Sequence, residues 1–275
     1  MALKSKRFGV PDRRTPEERF NDLFTDRKAP VEAFNDRRES LTDDDQHLLV
    51  FYGIGGQGKT WLCRRMRKEL SLQAERNPGT QVMWGHVDFK ENHLRDPARG
   101  LLELRRSLKR SAPSQFLSFD TAIARYWELA YPESDFQGAN RDLFDSGEDI
   151  LGEVLETAAD YLDELPAGVG LGIKALNHVR RKITDRVAKS RSWARASVEA
   201  LYGFDTLDSA GDIADRLAYY LAADLQSHRR RKPHQQIIVF FDTMEALGAP
   251  AGTQVDTGSF RSDEWVRELI VGSPG

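Results

Sequence analysis

The residues best suited to chemistry form one continuous segment, residues 53–60, called here the phosphate loop. It fits the pattern G-x-x-x-x-G-K-[ST], and its residues in order are Gly53, Ile54, Gly55, Gly56, Gln57, Gly58, Lys59 and Thr60. Glycines let backbone N–H groups close around a phosphate, and the start of a following helix adds partial positive charge. Lys59 is predicted to reach the β- and γ-phosphates, and the Thr60 hydroxyl to ligate Mg²⁺. The segment and the adjacent Trp61 therefore predict a nucleoside triphosphate site.

A second candidate site follows the apolar run 237–241, which ends at Asp242. A carboxylate at the carboxyl end of a buried strand can hold Mg²⁺, usually through water, opposite the hydroxyl of Thr60. Glu245 lies three residues further on and is predicted to orient or deprotonate an attacking water. By itself this pattern is not specific, because an aspartate at a strand end often caps the following turn. Its occurrence in the same chain as a phosphate loop makes Mg²⁺ binding the favoured interpretation. Together the two segments predict Mg²⁺ and a triphosphate as ligands.

These residues need a parallel sheet and helices to hold them in place. The apolar segments 47–52, 81–89 and 236–242 are predicted strands, and the first runs directly into the phosphate loop. Capping signals and apolar residues at helical spacing predict helices at 15–23, 30–40, 61–70, 97–109, 119–131, 149–165 and 210–227. The predicted organisation is a flexible arm at 1–14, a helical lead-in at 15–45, a first part of the core at 46–112, a helical insertion at 113–232, and a last strand and helix at 233–275.

The composition predicts a water-soluble chain with enough residues for one large or two small domains. Of 275 residues, 40 are basic and 43 acidic, which gives a formal net charge of -3. This balance argues against a general nucleic-acid or membrane-surface binder. No apolar run approaches the roughly 20 residues of a membrane-spanning helix, and the basic N-terminus lacks an apolar signal segment. A cytoplasmic location without nucleic-acid or membrane partners is therefore expected.

Metal ligation by histidine and cysteine is not expected from the sequence. The six histidines show no paired spacing typical of a zinc site, and Cys63 is the chain's single cysteine. Cys63 follows the phosphate loop on a predicted helix, where a buried structural thiol is favoured over a reactive one. One thiol also excludes an internal disulfide and fits a reducing compartment.

Three segments together resemble the STAND class of signal-transducing ATPases, relatives of the AAA+, NACHT and NB-ARC modules. Residues 23–27 resemble the short element before the first strand of that class, residues 50–60 its phosphate loop, and residues 240–247 its magnesium-binding strand. The resemblance implies an α/β P-loop NTPase fold, a three-layer core around a parallel sheet, here incomplete and with a large, mainly helical insertion. It also implies ATP as the nucleotide and places Arg27 near the adenine and ribose.

The resemblance covers residues 20–275 and implies a longer protein. Members of the class continue with a sensor strand, a small helical domain, a winged-helix domain and repeats that bind a ligand or protein. Residues 263–270 match the helix that precedes the sensor strand. The chain is therefore expected to be an N-terminal portion or a truncated product.

Three functions remain open from the sequence. The first is a regulatory ATPase in which exchange between ATP and ADP switches conformation or self-association. The second is a phosphotransferase whose helical insertion binds a small-molecule acceptor, and the third is a nucleotide-binding scaffold without catalysis. The resemblance favours the first, with Lys59 and Glu245 as catalytic residues. Hydrolysis by these residues alone is expected to be weak, because sensor and trans-acting arginine groups are not among them.

Overall fold

The computed structural model describes residues 28–40, 47–54, 56–76, 82–112, 114–132, 195–201, 204, 207, 209–247 and 263–271. The chain divides into two compact units, Met1–Leu62 and Cys63–Gly275. The predicted arm, the predicted helices at 15–23 and 149–165, and the part of the predicted insertion at 133–194 lie outside the described residues.

The first unit contains a helix, an irregular segment and the phosphate loop. Helix α1 is Lys28–Glu39 and buries Phe34. Helix α2 is Lys59–Arg76; it begins at the lysine of the phosphate loop and continues into the second unit. Both helices confirm the sequence prediction.

The predicted strand at 47–52 is wrong. Residues 47–54 have no regular secondary structure, and large apolar side chains among them are exposed: Tyr52 by 92%, Leu48 by 69% and Val50 by 64%. Apolar and β-branched residues form a strand only where a neighbouring strand offers backbone partners. The sheet of the described residues pairs two other strands, which lie further along the chain.

The second unit is built on a parallel pair of strands. Strand β1 is Met83–Asp88 and strand β2 is Ile237–Asp242, as predicted. Their register aligns Asp88 with Asp242, so both strands end in an aspartate at the same edge. Parallel strands need a crossover connection, and the described residues between β1 and β2 are mainly helical, as this topology requires.

Helix α3, Pro97–Ser111, packs against β1. It begins at Asp96, whose side chain accepts a hydrogen bond from the Arg99 N–H, as an N-cap residue does. A Cβ added at Gly85 of β1 would lie 2.6 Å from a methyl carbon of Leu104. Glycine at this position therefore allows the helix to approach the strand closely.

The same helix protects one edge of β1. The Trp84 N–H donates to the Ser111 hydroxyl at 2.8 Å, and the His86 N–H donates to the Ser107 hydroxyl at 3.0 Å. In a parallel ladder alternate N–H groups point to opposite edges, so these two point away from β2. The two hydroxyls satisfy donors that an added strand would otherwise use.

The remaining helices of the described residues pack with α3 around a shared core. They are α4 (Leu117–Ala130), α5 (Arg195–Ala200), α6 (Ala210–Ala214), α7 (Leu217–Arg231) and α8 (Glu264–Val271). The prediction of one helix at 210–227 is wrong, because Arg216 leaves the helical conformation at φ -111° and ψ 0°. α6 and α7 are therefore separate helices with a shared apolar side.

Buried polar groups connect α3, α4 and α7. The Arg105 guanidinium donates to both carboxylate oxygens of Asp120 at 3.0 Å, and both side chains are almost fully buried. The first N–H groups of α4, from Ser118 and Phe119, donate to the Asp224 carboxylate at 3.1 and 2.8 Å. Asp224 thus caps a helix that has no cap from its own preceding residue.

The described residues form a mixed structure of mostly helical content around a two-stranded parallel sheet. This agrees with the coarse α/β prediction, whereas the larger P-loop core stays a prediction. Among the described helices, none is both long and apolar enough to cross a membrane.

Candidate nucleotide and metal site

The phosphate loop closes around the side chain of its own lysine. Lys59 Nζ donates to the carbonyl oxygens of Gly53 and Ile54, at 2.7 and 3.3 Å. The Leu62 N–H donates to the Gly58 carbonyl at 3.0 Å, which forms the first turn of α2. The ammonium group therefore lies beside the N-terminus of a helix, where N–H groups and the helix dipole favour an anion.

Three glycines give the loop its shape. Gly56 and Gly58 have φ values of +82° and +79°, in the left-handed region, and Gly53 has φ +155°. A side chain in the left-handed region costs roughly 1–2 kcal/mol, because Cβ approaches the following carbonyl. At Gly53 a Cβ would lie 2.1 Å from the side-chain oxygen of Gln57, which can rotate away, so the backbone angle and not this contact favours glycine there. The conformation therefore requires glycine at these positions.

Two carboxylates meet at the carboxyl edge of the strand pair in the second unit. The Thr243 hydroxyl donates to Asp88 Oδ1 at 2.8 Å, and the Lys90 N–H donates to the same oxygen at 3.0 Å. The Thr243 N–H donates to Asp242 Oδ1 at 2.9 Å, and Asp242 is buried. Neighbouring carboxylates repel each other unless hydrogen bonds or a cation offset their charges. Thr243 provides such bonds to both.

Thr243 has an unusual backbone conformation. Its φ of 60° and ψ of 36° place it in the left-handed region, where β-branched residues are rare. Strain of this kind costs of order 1–3 kcal/mol and is concentrated at functional sites. Here it directs the N–H and hydroxyl of one residue toward the carboxylates of both strands.

Cys63 of α2, His86 of β1 and Asp242 of β2 form a cluster in the second unit. Their side-chain ligand atoms all lie within 4.8 Å of one another. Burial raises the pKa of the Cys63 thiol to about 12, against the opposing effect of the Arg67 charge. Burial, assisted by Arg67, lowers the pKa of His86 to about 4. At neutral pH the cluster therefore contains a protonated thiol and a neutral imidazole.

Aromatic rings support the strand ends from the opposite face. The rings of Phe89 and Phe241 stack with centroids 5.9 Å apart, and Trp265 of α8 meets them edge-on at 5.8 and 6.0 Å. Trp265 also lies against Gly100 of α3. Offset stacked and edge-to-face pairs are both favourable arrangements. Aromatic packing therefore stabilises the strand ends that carry the two aspartates.

The predicted site residues fall into different parts of the molecule. Thr60 and Trp61 lie half-buried in the first turn of α2, and Thr60 belongs with the phosphate loop to the first unit. Asp242 belongs to the second unit. Glu245 is exposed on the 3₁₀ turn Met244–Ala246. Gly55 and Arg27 lie outside the described residues.

Sequence reasoning missed Asp88 as a partner of Asp242. The signal was present, because the predicted strands 81–89 and 236–242 each contain an aspartate near the carboxyl end, and parallel strands end at one edge. His86 and Cys63 gave no comparable signal. They approach Asp242 from separate elements, and a search for paired spacing along the chain does not detect them.

Comparison with known proteins gives no family assignment. No protein-family model, curated protein or solved structure matches the chain. The functional interpretation therefore depends on the phosphate loop, the strand ends and the cluster beside them.

Proposed function

We propose that the chain is an ATP-binding regulatory module, in which the bound nucleotide controls conformation or self-association. The observation that carries this proposal is the form of the phosphate loop. Its lysine begins α2 and contacts the carbonyls of Gly53 and Ile54, and Gly56 and Gly58 have left-handed conformations. A triphosphate at such a loop would meet backbone N–H groups, the positive end of a helix and an ammonium group.

Mg²⁺ is assigned in this proposal to Thr60 and Asp242. A hydroxyl and a carboxylate are the hard oxygen ligands that Mg²⁺ prefers, and several waters complete its octahedral shell. The assignment is supported by the position of Asp242 at the carboxyl end of β2, aligned with a second carboxylate, Asp88. Lys59 would offset charge on the phosphates, and Glu245 would orient the attacking water.

The proposed fold is the incomplete three-layer core of a STAND-class P-loop ATPase. The parallel pairing of β1 with β2 and the helix that begins at Lys59 support it. Arg27 keeps its proposed place near the adenine and ribose on the resemblance alone. The resemblance also implies an activating ligand or protein as a partner.

The Mg²⁺ assignment is tested by ATP titrations at varied Mg²⁺ concentration. Mg²⁺ is expected to strengthen ATP binding by the wild-type chain, and Asp242→Asn is expected to lose most of that effect because it lacks the charge. Asp215→Asn is the matched control, since Asp215 is exposed at the end of α6. The same Mg²⁺ dependence in all three proteins would remove Asp242 from the site.

The proposed role of Glu245 in catalysis is tested by the rate of ATP hydrolysis. Glu245→Gln is expected to bind ATP normally and to hydrolyse it on the order of 10² times more slowly than wild type.

Light scattering is expected to give different particle masses with ATP and with ADP. Equal masses would contradict nucleotide-controlled self-association, and transfer of the γ-phosphate to a small-molecule acceptor would favour a phosphotransferase.

A further inference from the structure

Three side chains with different metal-binding groups converge on one face of the strand pair. Cys63 comes from α2, His86 from β1 and Asp242 from the end of β2, and their ligand atoms lie within 4.8 Å of one another. His86 and Asp242 share this face because the register aligns His86 with Phe240, two residues before Asp242. Cys63 and His86 are half-buried, and Asp242 is buried.

The chemistry of these groups selects the ion. A thiolate, an imidazole and a carboxylate are the ligands of tetrahedral Zn²⁺, whereas Mg²⁺ takes oxygen ligands in an octahedral shell. Three protein ligands leave a fourth position for water. We propose that Cys63, His86 and Asp242 bind one Zn²⁺ or a similar divalent transition-metal ion.

The distances are compatible with such an ion. Zn²⁺ lies about 2.0–2.3 Å from its ligands, which puts tetrahedral ligand atoms about 3.5 Å apart. Side-chain rotations that close the present separations by about 1 Å are therefore sufficient. Within the described residues Nε2 of His86 is buried without a hydrogen-bond partner. Buried polar atoms usually have a partner, and a metal ion would supply a reason for this exception.

The surrounding charges favour a dication. With its thiol deprotonated Cys63 carries a negative charge, as do the carboxylates of Asp242 and the neighbouring Asp88. The positive groups that act on the cluster are Arg67, beside Cys63, and the exposed Arg64. Three negative groups thus face two positive ones, of which Arg64 is screened by water. Binding releases the thiol proton to solvent, and the metal–sulfur bond replaces the sulfur–hydrogen bond.

The single cysteine makes the proposal directly testable with Co²⁺. Co²⁺ substitutes for Zn²⁺ and absorbs light through charge transfer when a thiolate binds it. Because Cys63 is the chain's one cysteine, such absorption reports this residue alone. Titration of the nucleotide-free chain is expected to produce thiolate absorption that saturates at one Co²⁺ per chain and is absent in Cys63→Ser. Absence of this absorption in the wild-type chain would overturn the site, and this measurement does not require any variant to fold.

Zn²⁺ affinity gives a second test, measured by competition with a chromogenic chelator. Cys63→Ser and His86→Gln are each expected to weaken Zn²⁺ binding by more than about tenfold, since even changes to outer partners cost 10–100-fold. His93→Gln is the matched control, because His93 is exposed on the 3₁₀ turn Asn92–Arg95. If wild type, Cys63→Ser and His86→Gln bind Zn²⁺ with equal affinity, the ion binds at other histidines and the proposed site is overturned.

A shared carboxylate connects this site to nucleotide binding, and this step rests on the proposed function. If Asp242 ligates Zn²⁺, then Zn²⁺ held at a fixed concentration by a metal buffer should weaken Mg-ATP binding at least tenfold in wild type and leave Cys63→Ser unaffected. Equal inhibition of both proteins would overturn the sharing. Thiolate absorption in a chain that binds no ATP would overturn the proposed function alone. ATP binding without the absorption would overturn the metal site alone.

Discussion

The phosphate loop and the helices of the second unit are stabilised in different ways. The loop has exposed residues, and its shape comes from three glycines and from one lysine that contacts two carbonyls. Helices α3, α4 and α7 instead bury ionisable groups: Arg105 with Asp120, and Asp224 at the start of α4. In the loop, conformation is set by neighbours in sequence, whereas in the helices it is set by residues far apart in the chain.

This difference separates the residues proposed to bind nucleotide from the residues that stabilise the fold. Changes in the loop should alter nucleotide binding with little effect on folding, because few buried contacts are lost. Changes in the buried pairs should alter folding first, because an unpartnered buried charge is costly. The two groups of variants therefore need different measurements, and each serves as a control for the other.

The largest expected effect on folding comes from Asp120→Ala. It leaves the Arg105 guanidinium buried without its carboxylate, and breaking a buried pair in this way costs about 3–5 kcal/mol. Denaturant unfolding measures the loss. Glu69→Ala is the control, because it removes the exposed pair Arg65–Glu69 and should cost about 0.5 kcal/mol. Similar losses in the two variants would contradict the structural importance of the buried pair.

The next largest effect is a pH dependence of the free energy of unfolding, which comes from Asp224. Burial raises the pKa of this carboxyl to about 7 from 3.8, against the lowering effect of the hydrogen bonds from Ser197, Ser118 and Phe119. Between these values the folded chain keeps a proton that the unfolded chain releases. The stability contribution is therefore complete below about pH 4 and is lost as the pH rises to 7, by at most about 1.4 kcal/mol per pH unit.

Asp224→Asn isolates this contribution, because it removes the titrating group and leaves the rest of the chain unchanged. The wild-type free energy of unfolding, minus that of the variant, is expected to fall between pH 4 and pH 7. A difference that rises over this range would show that the hydrogen bonds to the carboxylate outweigh its burial.

A smaller effect is expected in the loop from Gly58→Ala. A side chain at φ +79° costs roughly 1–2 kcal/mol, so the free variant loop is expected to leave this conformation and to recover it on binding, at the cost of about a tenfold weaker affinity for Mg-ATP. Gly211→Ala is the control, because a Cβ there lies at ordinary contact distance from Ser209 in helix α6. Gly58→Ala with wild-type affinity would show that the left-handed conformation is not needed for binding.

The sequence predicts elements well where the information is local. Strands β1 and β2 and helices α1 to α4 follow from apolar spacing and caps, and the phosphate loop follows from its glycines and lysine. The strand predicted at 47–52 fails because a strand depends on partners that its own residues do not specify. The single helix predicted at 210–227 fails because the pattern continues across the break at Arg216.

The candidate sites show the same limit. Asp242 is identifiable because it ends an apolar run. The sequence gives no sign that Thr243 adopts a left-handed conformation, or that Thr243 donates hydrogen bonds to both Asp242 and Asp88. Asp224 caps α4 from 105 residues away along the chain. Cys63, predicted to be a buried structural thiol, is half-buried beside His86 and Asp242. Contacts between distant elements determine these arrangements.

Calorimetric titration of Mg-ATP into wild type and Lys59→Ala tests the central claim most directly. Removal of the ammonium that is proposed to contact phosphate is expected to weaken binding by about 2–5 kcal/mol, or at least about 30-fold, with an unchanged free energy of unfolding. Lys68→Ala, which alters an exposed lysine of the same helix, should bind as wild type does. Equal affinity of wild type and Lys59→Ala would contradict nucleotide binding by the phosphate loop.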